Sequence, residues 1–337
     1  MSEVEDAKAV MAPVFAAMRD CDGVADALAQ VARDALFRMC HPIGDLHGAE
    51  AFARDAVAPL RVALPDLERQ EFIRIAGFDA DGALWVGSGG QYVGRWAEPW
   101  LGIPPTGRTA VMRFHEFYRI EGDACVEMQA IWDIPEMMMQ AGVWPMAPQL
   151  GRFLHAPAPM TQDGLGPHDP ELSEISAQHV IDMLTAMTRH PSQGGPEVME
   201  LERFWHPNFM WYGPAGIGTA RGVEEFRRFH QIPFLNAMPD RGQHPEGTVH
   251  HFMAEGAYVG VTGWPNMQQT LSGDGWLGLP PTGQRITLRS LDFWRLEDGL
   301  IRENWVLFHS RFLPNIFLEK LLKQHLLKVY GLFDGID

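Results

Sequence analysis

The heptapeptide Leu101-Gly102-Ile103-Pro104-Pro105-Thr106-Gly107 returns 176 residues later as Leu277-Gly278-Leu279-Pro280-Pro281-Thr282-Gly283, changed at one position. At the same spacing Phe117, Arg119, Glu121 and Glu127 fall on Phe293, Arg295, Glu297 and Glu303, while Glu116 meets Asp292 and Tyr118 meets Trp294. Upstream, Ile43-Gly44, Gly48, Glu50, Phe52, Pro59 and Pro65-Asp66 match Ile217-Gly218, Gly222, Glu224, Phe226, Pro233 and Pro239-Asp240 at a spacing of 174, so a two-residue insertion separates the blocks. A period of about 175 residues is a whole domain rather than a solenoid unit. A chain of 337 residues is therefore expected to hold two copies of one domain, each with its own core.

Between the copies, Pro145, Pro148, Pro157, Pro159, Pro167 and Pro170 crowd together with Gly151, Gly164 and Gly166, a composition that disfavours regular structure. Asp169 then stands as an N-cap before Pro170, and Val180, Met183, Leu184 and Met187 recur on one helical face. In the first copy Val24, Leu28, Val31 and Ala35 keep helical spacing, as do Phe52, Ala56, Leu60 and Leu64 before Pro65. Strand-like segments follow near 70–78, 83–93, 108–120 and 124–133, with turn signals at Asp79–Gly82 and Glu121–Asp123; the second copy repeats them near 247–253, 257–264, 284–296 and 300–309. Helices followed by a run of antiparallel strands predict an α+β fold, in which the Pro-Pro-Thr-Gly element is a fixed connection between strands. The expected division is a first domain at 1–144, a linker at 145–170, a second domain at 171–315 and a divergent tail at 316–337. In that tail Leu318, Leu321, Leu322, Leu326 and Val329 predict an amphipathic helix beside Lys320, Lys323 and Lys328.

Charge narrows the partners. Against 27 Lys and Arg stand 43 Asp and Glu, a net −16, which repels phosphate backbones and anionic lipid. The expectation is a small-molecule partner, with no nucleic acid and no membrane; a homo-oligomer stays open. The acidic start and the lack of any apolar run of 18 residues predict a cytoplasmic protein. Cys21, Cys40 and Cys125 have no CxxC spacing, and His41 and His47 have no metal-ligand spacing, so no metal is expected. The stretch Gly213–Gly218 lacks the spacing and the lysine of a phosphate cradle.

The repeated heptapeptide, the strand ending Phe-x-Arg-(Ile/Leu)-Glu, the following strand with Glu127 and Asp133, and the closing Gln140-Ala141-Gly142 resemble SnoaL-like polyketide cyclases of the nuclear transport factor 2-like superfamily. The resemblance spans nearly the whole chain as two tandem copies. It implies two cone-shaped domains, each with helices packed against a curved antiparallel sheet around a pocket. It also implies cofactor-free acid/base chemistry. The family's acid/base aspartate, six residues after a glutamate and seven before the closing glutamine, falls on Asp133. The second copy departs: Glu303, Asn304 and Trp305 match, but His309 occupies the aspartate position and no Gln-x-Gly follows. The superfamily also holds isomerases, dehydratases, epoxide hydrolases and binding modules, so cyclase, isomerase and dehydratase chemistry stay open, with a non-catalytic binding or accessory protein as the alternative.

Removing a proton next to a carbonyl needs a base in a dry pocket, where desolvation raises a carboxylate pKa, and a donor for the developing enolate oxygen. The candidate acid/base residues are Asp133 in the first pocket, on one strand face with Glu127, Gln129 and Ile131; His309; and the paired acids Glu116 and Asp292. Strand alternation leaves open whether that pair faces a pocket or solvent. Candidate ligand contacts are His47, Tyr92, Trp100, His115 and Gln129 in the first copy, and Trp211, Tyr212, His230, Trp264, Trp294 and Trp305 in the second, where aromatic rings with polar handles are dense.

Overall fold

The computed structural model describes residues 3–19 and 22–310. The tail at 316–337 and Cys21 lie outside them.

The strands, in chain order, are β1 (Leu36–Met39), β2 (Asp45–His47), β3 (Glu68–Phe78), β4 (Leu84–Arg95), β5 (Thr109–Glu121), β6 (Ala124–Trp132), β7 (Trp205–Tyr212), β8 (Ala220–Arg221), β9 (His251–Glu255), β10 (Tyr258–Thr262), β11 (Met267–Thr270), β12 (Arg285–Glu297) and β13 (Leu300–Ser310). They form two sheets in the orders β2-β1-β6-β5-β4-β3 and β8-β7-β13-β12-β10-β9, with β11 on β12. The long strands read from the sequence make the antiparallel centre of each sheet. The sheets are not purely antiparallel, because β1 runs parallel to β6 and β7 parallel to β13. Those added strands, with β2, β8 and β11, are two to eight residues long and too short for alternation to declare them. A helix at Glu3–Arg19, which the sequence reading did not mark, packs Met11, Val14, Phe15 and Met18 into the first core.

Between Ala141 and Asp169 no helix or extended strand forms; Arg152 makes a single bridge to Thr219. Asp169 does cap the next segment, its carboxylate accepting from the Glu171 amide at 3.0 Å. The duplication extends to local irregularity. In each copy a helix widens into a π turn, Ala53–Val57 and Arg227–Gln231, shortly before Pro59 and Pro233. A proline has no N–H and crowds the carbonyl four residues back, and a wider turn relieves that clash. His230 sits on the second of these turns.

Strand alternation decides which side chains face where. On β5, His115 and Phe117 point to the second sheet, while Phe114, Glu116 and Tyr118 point to their own helices. On β12, Leu291 and Phe293 face the first sheet, and Ser290, Asp292 and Trp294 face their own helices. The sheets thus pack back to back. Phe117 stacks on Phe293 with ring centroids 4.9 Å apart and planes 13° apart, and His115 Nδ1 bonds the Leu291 carbonyl. Both contacts join positions 176 apart in sequence, as an isologous two-fold interface requires. Gly87 and Gly260, opposite Phe117 and Phe293 in the ladders, make room for the stack: a Cβ at either would lie 2.9 Å from the Phe117 ring. Thr262 to Gln129 at 2.7 Å and the Ala76 amide to Glu255 at 2.8 Å add polar ties across the same surface.

Candidate functional site

The inner face of each sheet and its helices enclose a cone, and the two cones differ in what fills them. In the first, Glu116 is fully buried and accepts four hydrogen bonds: from Arg69 at 2.8 Å, Tyr118 at 2.8 Å, Trp132 at 2.9 Å and Tyr92 at 3.1 Å. The Arg69 guanidinium also lies 4.1 Å from the centre of the Phe114 ring. Trp100 packs behind Trp132 at 6.5 Å. A carboxylate saturated by four donors has no acceptor capacity to offer a substrate. This cone is a solid core, and Glu116, Tyr92 and Trp100 are part of its packing.

The second cone carries smaller or differently shaped side chains at the same ladder positions. Ser290 stands for Phe114, Asp292 for Glu116, Met267 for Tyr92 and Phe308 for Trp132. The space they leave is a chamber of about 330 Å³. Its aromatic wall includes Trp211, Phe226, Phe234 and Trp294, and Met183 and Met187 close it from the helix at Ser173–Met187. Its polar groups are Asp292, Ser290, His230, Arg241, Gln269 and Asn304. Of the residues picked from sequence, the chamber therefore unites Asp292, Trp211, His230 and Trp294.

Electrostatics in the chamber follow from burial. Asp292 is buried and forms no ion pair among the described residues; its one hydrogen bond in the structure is from the Ser290 hydroxyl at 2.7 Å. Burial pushes its carboxyl up to about 7, against the pull of that hydroxyl. His230, stacked on Trp211 at 4.5 Å, is pushed down to about 3, first by burial and then by the Arg241 charge, so its imidazole is neutral at physiological pH. Burial also lowers Arg241, to about 10.

The remaining candidates lie on the other side of the sheets. Asp133 shares a face with Gln129 and Ile131, as alternation predicts, but that face meets the second copy rather than a cone. Asp133 ends β6 and caps the helix Ile134–Gln140; its carboxylate accepts from Arg113 at 2.9 Å, the Ala215 amide at 3.2 Å and the Glu136 amide at 3.3 Å. Arg113 reaches on to the carbonyls of Gly213 at 2.7 Å and Tyr212 at 3.1 Å. Asp133 is thus the centre of a clasp between the copies. Beside it, a cleft of about 250 Å³ is lined by Asp133, His309, Trp144 and residues of both heptapeptides, Leu101 to Pro104 and Leu277. His309 accepts from the His41 amide at 3.3 Å and stacks against Trp264 at 6.4 Å. Pro214 and Phe308 line both the cleft and the chamber.

His115 and Gln129 are interface residues by the contacts above. Tyr212 donates to Glu303 at 3.3 Å and Trp305 to the Pro157 carbonyl at 2.9 Å, both away from the chamber. His47 is exposed on the edge strand β2. The sequence reading missed Ser290, Arg241 and Gln269. Ser290 carried a usable signal, since alternation puts it on the face of Asp292; Arg241 lies in a loop and Gln269 on the four-residue strand β11, where no periodicity points at the chamber. Among the described residues no group of three or more His, Cys, Asp and Glu side chains could hold a metal ion, and no helix is long and apolar enough to cross a membrane.

A duplicated α+β fold, with two helix-covered curved sheets back to back and a chamber under one of them, defines the class of this protein. A family model described as SnoaL-like polyketide cyclase matches residues 10–141, and one described as SnoaL-like domain matches residues 182–304. The chain belongs to the SnoaL-like family and carries it as two tandem copies. Among solved structures it is similar to AclR from Streptomyces galilaeus, with 15% identity over 42% of this chain and 98% of that one, at a TM-score of 0.34. It is also similar to a protein from Jannaschia sp. CCS1, with 17% identity over 43% and 96% and a TM-score of 0.35. IdmH from Streptomyces antibioticus is similar at 23% identity over 40% and 98%, with a TM-score of 0.33. No curated protein matches the chain.

Proposed function

We propose that the protein is a cofactor-free acid/base enzyme acting on a small apolar carbonyl compound, and that the second chamber is its active site with Asp292 as the proton carrier. The observation that carries this reading is a buried carboxylate, free of any ion pair among the described residues, in the wall of an aromatic chamber. On this reading residues 171–315 are the working domain, residues 1–144 a filled copy that backs its sheet, and residues 145–170 the linker. SnoaL-like membership supports cyclase or isomerase chemistry, and the net charge of −16 supports a small-molecule partner.

The step needs few parts. Asp292, raised to about 7, is deprotonated in a useful fraction at neutral pH and still basic enough to take a proton from carbon next to a carbonyl. The carbon–hydrogen electron pair moves into the enolate. Gln269 and Trp294 line the chamber with N–H groups that have no acceptor among the described residues, and are donors available to the enolate oxygen. Asp292 returns the proton after carbon–carbon bond formation or double-bond migration, so no net proton is consumed.

The test is exchange of the α-protons of 2-tetralone in D2O at neutral pD, followed by proton NMR. The wild type is expected to accelerate exchange, and Asp292→Asn to lose about 100-fold or more of the acceleration. Equal exchange by wild type and variant would remove Asp292 from the chemistry. A ketone that binds without exchange in the wild type would make the protein a binding module.

A further inference from the structure

The two cones treat a guanidinium in opposite ways, one buried in the first and one half-buried in the second. In the first, Arg69 is paired with Glu116 at 2.8 Å and bonded to Ser88 at 2.7 Å. In the second, Arg241 lines the chamber and makes no ion pair among the described residues. Its Nη2 donates to the Met187 carbonyl, and its Nε has no acceptor among the described residues. The adjacent Asp240 is engaged elsewhere, with the Thr270 amide at 2.9 Å and His244 at 3.2 Å. Burying a cation without a counter-ion is costly, and in a chain of net charge −16 a carboxylate partner would be easy to supply. Other residues of the same wall hold surplus donors: among the described residues the indole nitrogens of Trp205, Trp276 and Trp294 and the Gln269 amide nitrogen have no acceptor. Asp292 apart, the unpartnered polar atoms of this wall are mostly donors.

We propose that the otherwise apolar carbonyl compound taken by the second chamber carries a carboxylate on its aromatic or alicyclic frame, the carboxylate paired with Arg241 and the ring against Trp211, Phe226 and Phe234. This deepens the reading of the chamber as the ligand site and rests on it. Arg241 is then a binding residue that fixes the ring while the carbon bearing the labile proton reaches Asp292. The neutral His230, whose Nδ1 also lacks a partner among the described residues, stands near enough to Arg241 to feel its charge and can share the anion.

The probes are anthracene-2-carboxylate and its methyl ester, which differ by one charge and share one ring system. Fluorescence titration of the full chain is expected to show the acid binding about tenfold or more tightly than the ester. Arg241→Met is expected to erase that preference and leave the ester affinity unchanged, and Arg241→Lys to restore part of it. Retained ester binding also shows that the variant is folded. Equal binding of acid and ester to the wild type, or a parallel loss of both in Arg241→Met, would overturn the proposal. Tight ester binding without acid preference would do so while leaving the chamber as the ligand site; binding of neither probe would remove both claims.

Discussion

Asp292→Asn is expected to stabilise the protein at alkaline pH while abolishing its chemistry. In the unfolded chain this carboxyl titrates near its ordinary value of 3.8, and in the folded chain burial raises it to about 7. Between those values the folded state holds a proton that the unfolded state has released, so stability falls as pH rises through that window and levels off above about 7. A shift of about three pH units, at 1.36 kcal/mol each, sets an upper figure of about 4 kcal/mol; relaxation around the charge brings the expectation to about 2 to 4 kcal/mol. Asparagine keeps the shape and the acceptor for Ser290 without the charge. The assay is urea unfolding of wild type and variant from about pH 4 to pH 8. The difference is expected to be small at about pH 4 and to grow in favour of the variant up to about pH 7, other titrations cancelling between the two proteins. A variant that is less stable than wild type at pH 8, or a difference that does not change with pH, would refute the reasoning.

The filled cone responds in the opposite sense. Glu116→Gln removes the nearer carboxylate from Arg69, leaving Glu71 at 3.8 Å, and is expected to cost about 3 kcal/mol; Glu116→Leu, which also leaves Tyr92, Tyr118 and Trp132 without their acceptor, is expected to cost more, and urea unfolding separates the two. Gly77→Val probes the contact between the sheets, because a Cβ at Gly77 would lie 2.9 Å from the Ala254 carbonyl oxygen. A loss of about 1 to 3 kcal/mol is expected from such overpacking, read from the same unfolding curves.

Most of the fold was legible because duplication shows directly in sequence. The heptapeptide and its spacing located both copies, and the long strands alternate clearly enough to be drawn. The site was harder for a physical reason. Alternation tells which residues share a face but not which face meets the helices and which meets the other copy. Alternation puts Asp133 and Gln129 on one face, and that face joins the copies: there Asp133 and His309 line the cleft, Gln129 bonds Thr262 and Tyr212 bonds Glu303. Asp292 and Glu116 occupy equivalent positions, and their difference arises only from neighbours brought in by folding: Arg69, Tyr92 and Trp132 against Met267, Phe308 and open space. Arg241 reaches the chamber from a loop, where no periodic signal exists.

Where the ligand sits decides between the chamber and the cleft, and a crystal structure of the chain soaked with methyl anthracene-2-carboxylate measures that. The expected result is the ring system in the second chamber, against Trp211 and within reach of Asp292, with the first cone filled by its own side chains. A ligand found instead in the cleft beside Asp133 and His309, or in a first cone opened by displacement of Tyr92 and Trp132, would contradict it.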